Sequence, residues 1–158
     1  MGAPASGWCH GIPAQDVIFL LSLVSASHSV GQNVYHLEWC PKYRYHMFMK
    51  LEHKNLCEDI LRGIALRHGI KILELSVMPD HVHAVVAILP TMSVSKALQL
   101  LKGGSSYELF LKKPVFRMRY PNGHFWGPGK FYRSVGDADV EIVFQYVRYQ
   151  RLEQNLFG

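Results

Sequence analysis

The chain has 158 residues, of which 49% are hydrophobic and 18% are charged. This length fits one domain, and this composition excludes an intrinsically disordered chain, a collagen-like repeat and a protein with several membrane spans. The net charge of +5 favours an anionic partner such as nucleic acid. Three cysteines without a C-x-x-C pair indicate a reduced, cytoplasmic protein.

The N-terminal segment differs in composition from the remainder. Residues 1–14 are rich in glycine, proline and alanine, and residues 17–24 form an apolar run that is too short to span a membrane. The run is similar to a signal-peptide core, but no positive charge precedes it and Asp16 lies directly before it. We interpret residues 1–27 as a leader, or as an additional strand, outside a single functional domain at residues 28–158.

Hydrophobic periodicity and turn residues predict an α+β order of elements. Strands are predicted at residues 33–39, 70–78, 82–89 and 130–135, and helices at residues 51–68, after a cap at Ser93, and from Asp137 to about Leu152. The strand at residues 82–89 is nearly all apolar, which is typical of a central strand. This order of strands and helices predicts a ferredoxin-like or RRM-like antiparallel sheet with the helices on one face.

Basic and aromatic residues are interleaved in the second half of the chain. Residues 96–133 hold eight basic side chains against a single acid, Glu108, together with eight aromatic rings. Cations on phosphates and rings stacked on bases suit a single-stranded polynucleotide. A solvated basic surface over a core that supplies the rings has the same composition, so both interpretations stay open.

Two histidines flank a valine at the start of the apolar strand. Because side chains at i and i+2 of a strand share a face, the imidazoles of His81 and His83 converge while Val82 faces the other side. Two neutral imidazoles can bind a divalent cation, although they do not complete a metal site. The alternative is a pair of polar residues at a strand end with no metal.

The last predicted helix offers a further ligand. Its apolar stripe runs from Val140 to Val147, with Tyr146 and Gln150 together on one flank and Tyr149 pointing away. The hydroxyl of Tyr146 can attack a phosphate, and the amide oxygen of Gln150 can coordinate a cation. Ordinary amphipathic packing explains the same two residues without any chemistry.

Two adjacent glycines, Gly103 and Gly104, stand inside the helix that follows Ser93. Each costs a helix about 1 kcal/mol relative to alanine. Close approach of the backbone to a phosphate chain would account for them, and so would a kink or a break in the helix.

These motifs follow one another in a specific order along residues 28–152. They are YHLEWCPKYR at residues 35–44, VMPDHVH at residues 77–83, LKGGSS at residues 101–106, Trp126 with Phe131, Val135-Gly136, and Tyr146-x-x-x-Gln150. In this order they resemble the small single-tyrosine transposases of bacterial and archaeal insertion sequences, the TnpA-type members of the His-hydrophobic-His class. The histidine block followed some sixty residues later by Y-x-x-x-Q is more specific than either motif alone.

The resemblance implies a ferredoxin-like or RRM-like domain that acts as a homodimer on single-stranded DNA with subterminal hairpins. It implies that Tyr146 is the nucleophile, carried on the C-terminal helix, and that His81, His83 and Gln150 hold Mg²⁺ or Mn²⁺. The products would be a 5′-phosphotyrosine and a free 3′-hydroxyl, and a second 3′-hydroxyl would rejoin the strand without ATP. It also implies that active sites are often assembled in trans, with the tyrosine helix of one subunit against the histidines of the other.

Four basic residues are candidates for DNA contacts, namely Lys42, Arg44, Lys102 and Arg133. Such a transposase is expected in the bacterial or archaeal cytoplasm, with no membrane partner. Two alternatives stay open: a domesticated relative that processes repeated palindromic DNA, and a non-catalytic RNA- or single-strand-binding module on an RRM-like sheet. The binding module lacks its usual glycine- and aromatic-rich strand signature here, and it gives the paired histidines no role.

Overall fold

The computed structural model describes the backbone of residues 23–26 and 29–157, and the side chains of residues 33–136 and 142–153. The predicted leader, residues 1–27, therefore lies outside the described residues except for one strand. This strand, β1 (Leu23–Ala26), pairs antiparallel with β2 (Ser29–Gln32) in a separate two-stranded sheet. Within the described part of the chain, no helix has both the length and the apolar character that a membrane span requires.

Four antiparallel strands form the main sheet, in the order β4-β5-β3-β6. The strands are β3 (Val34–Trp39), β4 (Lys71–Val77), β5 (Val82–Ala87) and β6 (Phe131–Ser134). The helices are α1 (Leu51–Arg67), α2 (Val94–Lys112) and α3 (Asp137–Phe157). The succession β3-α1-β4-β5-α2-β6 with this strand order is the predicted ferredoxin-like arrangement. The predicted strands and helices are confirmed, and α3 extends past its expected end at Leu152.

One of the two adjacent glycines in α2, Gly104, has a packing explanation. The helix is continuous through both glycines, and Ser93 caps it by accepting a hydrogen bond from the Lys96 backbone nitrogen at 3.1 Å. A Cβ atom on Gly104 would lie 2.9 Å from Cδ1 of Ile64 on α1. The two helices approach so closely at Gly104 that an added methyl group would displace the Ile64 side chain, whereas Gly103 has open space around it. Of the two alternatives, a kink or break in the helix is wrong, and the approach of a phosphate chain stays a prediction.

The central strand β5 is buried on both faces, as its apolar sequence predicts. One set of side chains faces the larger core with α1 and α2, namely Val82, Ala84 and Val86. The other set faces a smaller cluster that includes α3, namely Val85 and Ala87 of β5 with Val143 and Val147 of the helix. The prediction that all helices share one face is therefore wrong for α3, because a strand that is apolar on both sides needs cover on both. His83 alternates with Val85, so α3 covers the face that carries this histidine.

The aromatic rings of residues 96–133 divide between the core and the surface. Five are buried, namely Phe110, Phe116, Tyr120, Phe125 and Trp126. Three are exposed, namely Tyr107, Phe131 and Tyr132. The core therefore takes most of these rings, and base stacking by the three exposed rings stays a prediction.

Candidate active site

The two histidines at the start of β5 lie together on the face that α3 covers. Their ring centroids are 4.7 Å apart, and Val82 between them is fully buried on the opposite side of the sheet. This is the arrangement that the alternation of side chains along a strand predicts. The imidazoles form the centre of a polar cluster beneath the last helix.

A carboxylate from the neighbouring strand joins this pair. β3 aligns with β5 so that Glu38 is opposite His83, and ligand atoms of Glu38, His81 and His83 all lie within 4.8 Å of one another. Imidazole nitrogens and carboxylate oxygens are common ligands of divalent metals, so this triad can hold a divalent metal ion. Glu38 is not among the ligands predicted from the sequence. Its i, i+2 spacing from His36 in a predicted strand is the signal that places both on one face.

His36 of the neighbouring strand β3 also contacts His83. Nε2 of His36 lies 3.1 Å from Nδ1 of His83. Burial lowers the pKa of both histidines, and the nearby His81 and His36 help to lower the pKa of His83 to about 3. Both rings are therefore neutral at pH 7, and the 3.7 Å contact between His83 and Glu38 is not an ion pair. When Nδ1–H of His83 donates to His36, Nε2 of His83 keeps the lone pair that a metal ion requires.

The other histidine is oriented by a carboxylate. Nδ1 of His81 lies 2.6 Å from Oδ1 of Asp80, and Nε of Arg44 donates to Oδ2 of Asp80 at 2.9 Å. Burial raises the pKa of Asp80, but the hydrogen bonds from His81 and Arg44 outweigh this effect and the pKa lies below its usual value. Asp80 is therefore a carboxylate at neutral pH. It accepts Nδ1–H of His81, which leaves Nε2 free to coordinate a cation.

Tyr146 projects from α3 beside these histidines. Its ring meets that of His83 edge-on, with centroids 6.0 Å apart, and its side chain is half exposed. Nε2 of Gln150 donates to the Tyr146 hydroxyl oxygen at 2.7 Å. Oε1 of Gln150 is buried and has no hydrogen-bond partner among the described residues. One amide can therefore offer its oxygen to a cation and its N–H to the phenol. The other tyrosine of this helix, Tyr149, is exposed, and its hydroxyl donates to Glu153 at 2.7 Å.

Two buried carboxylates hold this helix against the remainder of the domain. Glu58 of α1 and Glu74 of β4 are each 7% exposed. Arg151 of α3 lies 3.3 Å from Glu58 and 3.8 Å from Glu74, and Arg148 lies 3.7 Å from Glu74. A buried carboxylate is strongly destabilising unless it is paired. Because both carboxylates need a cationic partner, the turns of α3 around Tyr146 are favoured in one position on the sheet.

Two of the predicted DNA contacts lie between β3 and α1, close to the histidines. Nζ of Lys42 is 5.2 Å from the centroid of the Tyr43 ring. Arg44 is the partner of Asp80 and is otherwise exposed to solvent. The structure thus connects Arg44 to His81 through a single carboxylate, that of Asp80.

The other two candidates have different surroundings. Lys102 of α2 donates from Nζ to the carbonyl oxygens of Gly127 at 2.7 Å and Gly129 at 3.3 Å, and burial lowers its pKa. Arg133 is exposed on the edge strand β6, opposite His36. Lys102 thus fixes the loop before β6, and Arg133 extends the polar face of the sheet beyond His36.

The sequence and the fold together place this chain among transposases. Residues 29–150 match the family described as IS200-like transposases. The chain is 31% identical over 134 residues to the ISDra2 transposase TnpA of Deinococcus radiodurans, covering 85% of this chain and 95% of the relative. It is 33% identical over 134 residues to the IS200 transposase of Salmonella typhimurium, covering 85% and 86%. The chain belongs to the IS200-like transposase family.

Solved structures share the same fold. A protein of Deinococcus radiodurans described as a transposase has a TM-score of 0.66 at 29% identity, covering 81% of this chain and 98% of that one. A REP-associated tyrosine transposase bound to a REP hairpin has a TM-score of 0.58 at 11% identity, covering 82% and 73%. At this lower identity the likeness establishes a common fold alone.

Proposed function

We propose that this transposase cleaves and rejoins single-stranded DNA at the ends of an insertion sequence, with Tyr146 as the nucleophile. The observation that carries this proposal is the contact between the rings of Tyr146 and His83, 6.0 Å apart, beside the triad of Glu38, His81 and His83. A phenol next to a group suited to a divalent metal is the pairing that phosphoryl transfer to tyrosine requires. Family membership supplies the class of reaction.

The proposed step exchanges one phosphoester for another. The phenol oxygen of Tyr146 forms a bond to phosphorus while the bond between phosphorus and the 3′-oxygen breaks. The phenol loses its proton and the departing 3′-oxygen gains one, which leaves a 5′-phosphotyrosine and a free 3′-hydroxyl. Because the phosphoester bond is conserved, a second 3′-hydroxyl can attack the phosphotyrosine and rejoin the strand without ATP.

We propose His81, His83 and Gln150, together with Glu38, as ligands of Mg²⁺ or Mn²⁺. When bound, such a cation polarises the scissile phosphate and stabilises charge during in-line displacement. The buried Oε1 of Gln150 supports the fit, since a buried oxygen without a partner among the described residues calls for a ligand. Oxygen ligands suit both cations, and the two imidazoles favour Mn²⁺ over Mg²⁺.

We further propose that residues 28–158 form the functional domain and act as a homodimer on DNA with subterminal hairpins, in the bacterial or archaeal cytoplasm. Tyr146 and His83 meet within one chain, so active sites in cis need no rearrangement of α3. Sites in trans require α3 to leave β4 and to exchange the Glu58 and Glu74 ion pairs for those of the other subunit.

Formation of a covalent adduct tests the proposal directly. The full chain is incubated with a single-stranded element end, labelled at its 3′ terminus, in the presence of Mg²⁺ or Mn²⁺, and the expected product is a labelled protein that survives denaturation. Tyr146→Phe abolishes this product, whereas Tyr149→Phe retains it. An adduct with Tyr146→Phe would show that another residue is the nucleophile.

Substitution of the two histidines should separate DNA cleavage from DNA binding. His81→Ala and His83→Ala should lose cleavage while the folded protein still binds the hairpin. If the wild-type chain binds the strand but forms no adduct with either metal, the non-catalytic binding module is the correct interpretation. Mobility-shift assays and circular dichroism on the same preparations distinguish these outcomes.

A further inference from the structure

The segment between β3 and α1 has an unusual backbone. Tyr43 and Arg44 have φ angles of +61° and +52°, a left-handed conformation that is uncommon for residues other than glycine. Two such residues in succession persist only when the surrounding contacts hold them in place, and they are concentrated at functional sites.

Hydrogen bonds hold this segment from several directions. The backbone nitrogen of Lys42 donates to the Phe125 carbonyl at 2.8 Å, and the hydroxyl of Tyr120 donates to the Lys42 carbonyl at 3.0 Å. The side chain of Arg44 donates to Asp80 at 2.9 Å. The segment is therefore fixed to the loop before β6 on one side and to the histidine motif on the other.

This backbone conformation places two tyrosine rings side by side at the surface. Tyr43 is 67% exposed and Tyr45 is 37% exposed, and their ring centroids are 5.4 Å apart. The ring of Tyr45 is also stacked on the buried ring of Tyr120, with centroids 5.7 Å apart and an interplanar angle of 29°. We call Tyr43 and Tyr45 the tyrosine surface.

Cations flank the tyrosine surface at both rings. Nζ of Lys42 is 5.2 Å from the centroid of Tyr43, and the guanidinium of Arg119 is 5.7 Å from that of Tyr45. Exposed rings accompanied by lysine and arginine are the combination that binds single-stranded nucleic acid, with bases on the rings and phosphates on the cations. The cations favour an anionic strand over an apolar partner.

We propose that the tyrosine surface binds one or two unpaired bases of the DNA strand next to the phosphate that Tyr146 attacks. The proposed position of these bases follows from Arg44. This residue lies between the two tyrosines in the sequence and pairs with Asp80, which accepts a hydrogen bond from His81. In this proposal, the strand passes over these rings before its scissile phosphate reaches His81 and Tyr146. The location relative to the scissile phosphate rests on the proposed function, whereas the binding of bases does not.

Binding in the absence of metal tests this proposal without any catalytic step. Fluorescence anisotropy with a labelled, unstructured oligonucleotide in EDTA measures affinity for the wild type and for Tyr43→Ala and Tyr45→Ala. Loss of one stacked base weakens binding about fivefold to a hundredfold. Tyr43→Trp should bind the oligonucleotide as tightly as the wild type, because an indole provides an equivalent stacking face. Tyr107→Ala is the matched control, since Tyr107 is 69% exposed on α2 and outside this surface.

The site of contact is mapped with 2-aminopurine. Placed at single positions along an element-end strand, this base should lose fluorescence near the cleavage position with wild-type protein and recover it with Tyr43→Ala. Unchanged affinity in both alanine variants, or a change equal to that of Tyr107→Ala, would overturn the proposal. So would a change in oligomeric state measured by ultracentrifugation, because the rings would then serve a protein contact.

The two proposals fail separately. An adduct on Tyr146 with full binding by the alanine variants would refute the tyrosine surface and leave the transposase chemistry intact. Loss of strand binding in these variants, without any adduct in the wild type, would support the tyrosine surface and refute the proposed transposase chemistry.

Discussion

The amide of Gln150 donates to the hydroxyl of Tyr146, one helical turn earlier, across 2.7 Å. The oxygen of the same amide is buried without a hydrogen-bond partner among the described residues. In the proposed function, this single side chain holds the nucleophile through its N–H and the cation through its oxygen. The two halves of the amide have separable roles.

Substitutions at position 150 should separate these roles. Gln150→Leu removes both the oxygen ligand and the N–H donor, so we expect Mn²⁺ affinity to fall about tenfold or more and the adduct to form slowly. Gln150→Glu keeps an oxygen ligand but cannot donate to Tyr146 when ionised, so Mn²⁺ affinity should be retained while adduct formation slows. Isothermal titration calorimetry and single-turnover labelling measure the two quantities. Equal Mn²⁺ affinity in the wild type and Gln150→Leu would remove Gln150 from the ligand set.

Asp80 should control metal affinity through His81. Asp80→Ala removes the acceptor of the Nδ1–H of His81, so the ring loses its fixed tautomer and orientation. We expect Mn²⁺ affinity to fall about tenfold to a hundredfold with no loss of folding. Arg44→Gln is the comparison, since Arg44 contacts Asp80 but not the imidazole, and its effect on metal affinity should be smaller. A larger effect from Arg44→Gln would indicate that the ion pair, and not the carboxylate alone, orients His81.

The buried histidine predicts how stability depends on pH in the metal-free protein. The pKa of His83 is lowered to about 3 from 6.5, chiefly by burial. Between these values the unfolded chain binds a proton that the folded chain does not, so stability falls as pH decreases from 6.5 toward 3. The slope from one such group is at most about 1.4 kcal/mol per pH unit, and His36, whose pKa is also lowered, acts in the same direction.

Urea unfolding at several pH values in this range measures that slope. His83→Gln removes the titrating ring and should give a shallower dependence than the wild type. An identical slope in the variant would assign the acid sensitivity to other groups.

The ion pairs of α3 should contribute to stability. Arg151→Ala leaves Glu58 and Glu74 with fewer partners, and both carboxylates are nearly buried. Because Arg151 is partly exposed and the contacts are 3.3 and 3.8 Å, we expect a loss of about 1–2 kcal/mol in the free energy of unfolding. Arg67→Ala breaks an exposed pair with Glu108 and should cost about 0.5 kcal/mol or less. Chemical denaturation of both variants tests the difference.

Local sequence rules predict some parts of this site and not others. The convergence of His81 and His83 depends only on alternation along one strand, so it can be predicted from two residues. The contact of Glu38 with His83 depends on which strands pair and in which register, and no short motif carries that information. The left-handed backbone of Tyr43 cannot be predicted from local sequence either. No glycine occupies this position, and the contacts that hold it come from residues far along the chain.

The position of α3 was predictable in part. The start of the helix and its amphipathic pattern are local properties and are confirmed, whereas the helix runs five residues past its expected end at Leu152. The face of the sheet that it covers follows from the apolar residues on both sides of β5, which the sequence shows. The contact between Tyr146 and His83 combines these two facts with the register of the helix on the sheet, which only the packing of Val143 and Val147 determines.

The separation of the interior into two clusters has a consequence for motion. The larger cluster joins α1, α2 and one face of the sheet, whereas α3 is held by the small cluster and a few ion pairs. Local opening requires less free energy where fewer apolar contacts are lost. The segment bearing the phenol can thus detach and return as one unit while the scaffold that positions the imidazoles stays intact. In the proposed homodimer, the exchange of this segment that sites in trans would require does not need global unfolding.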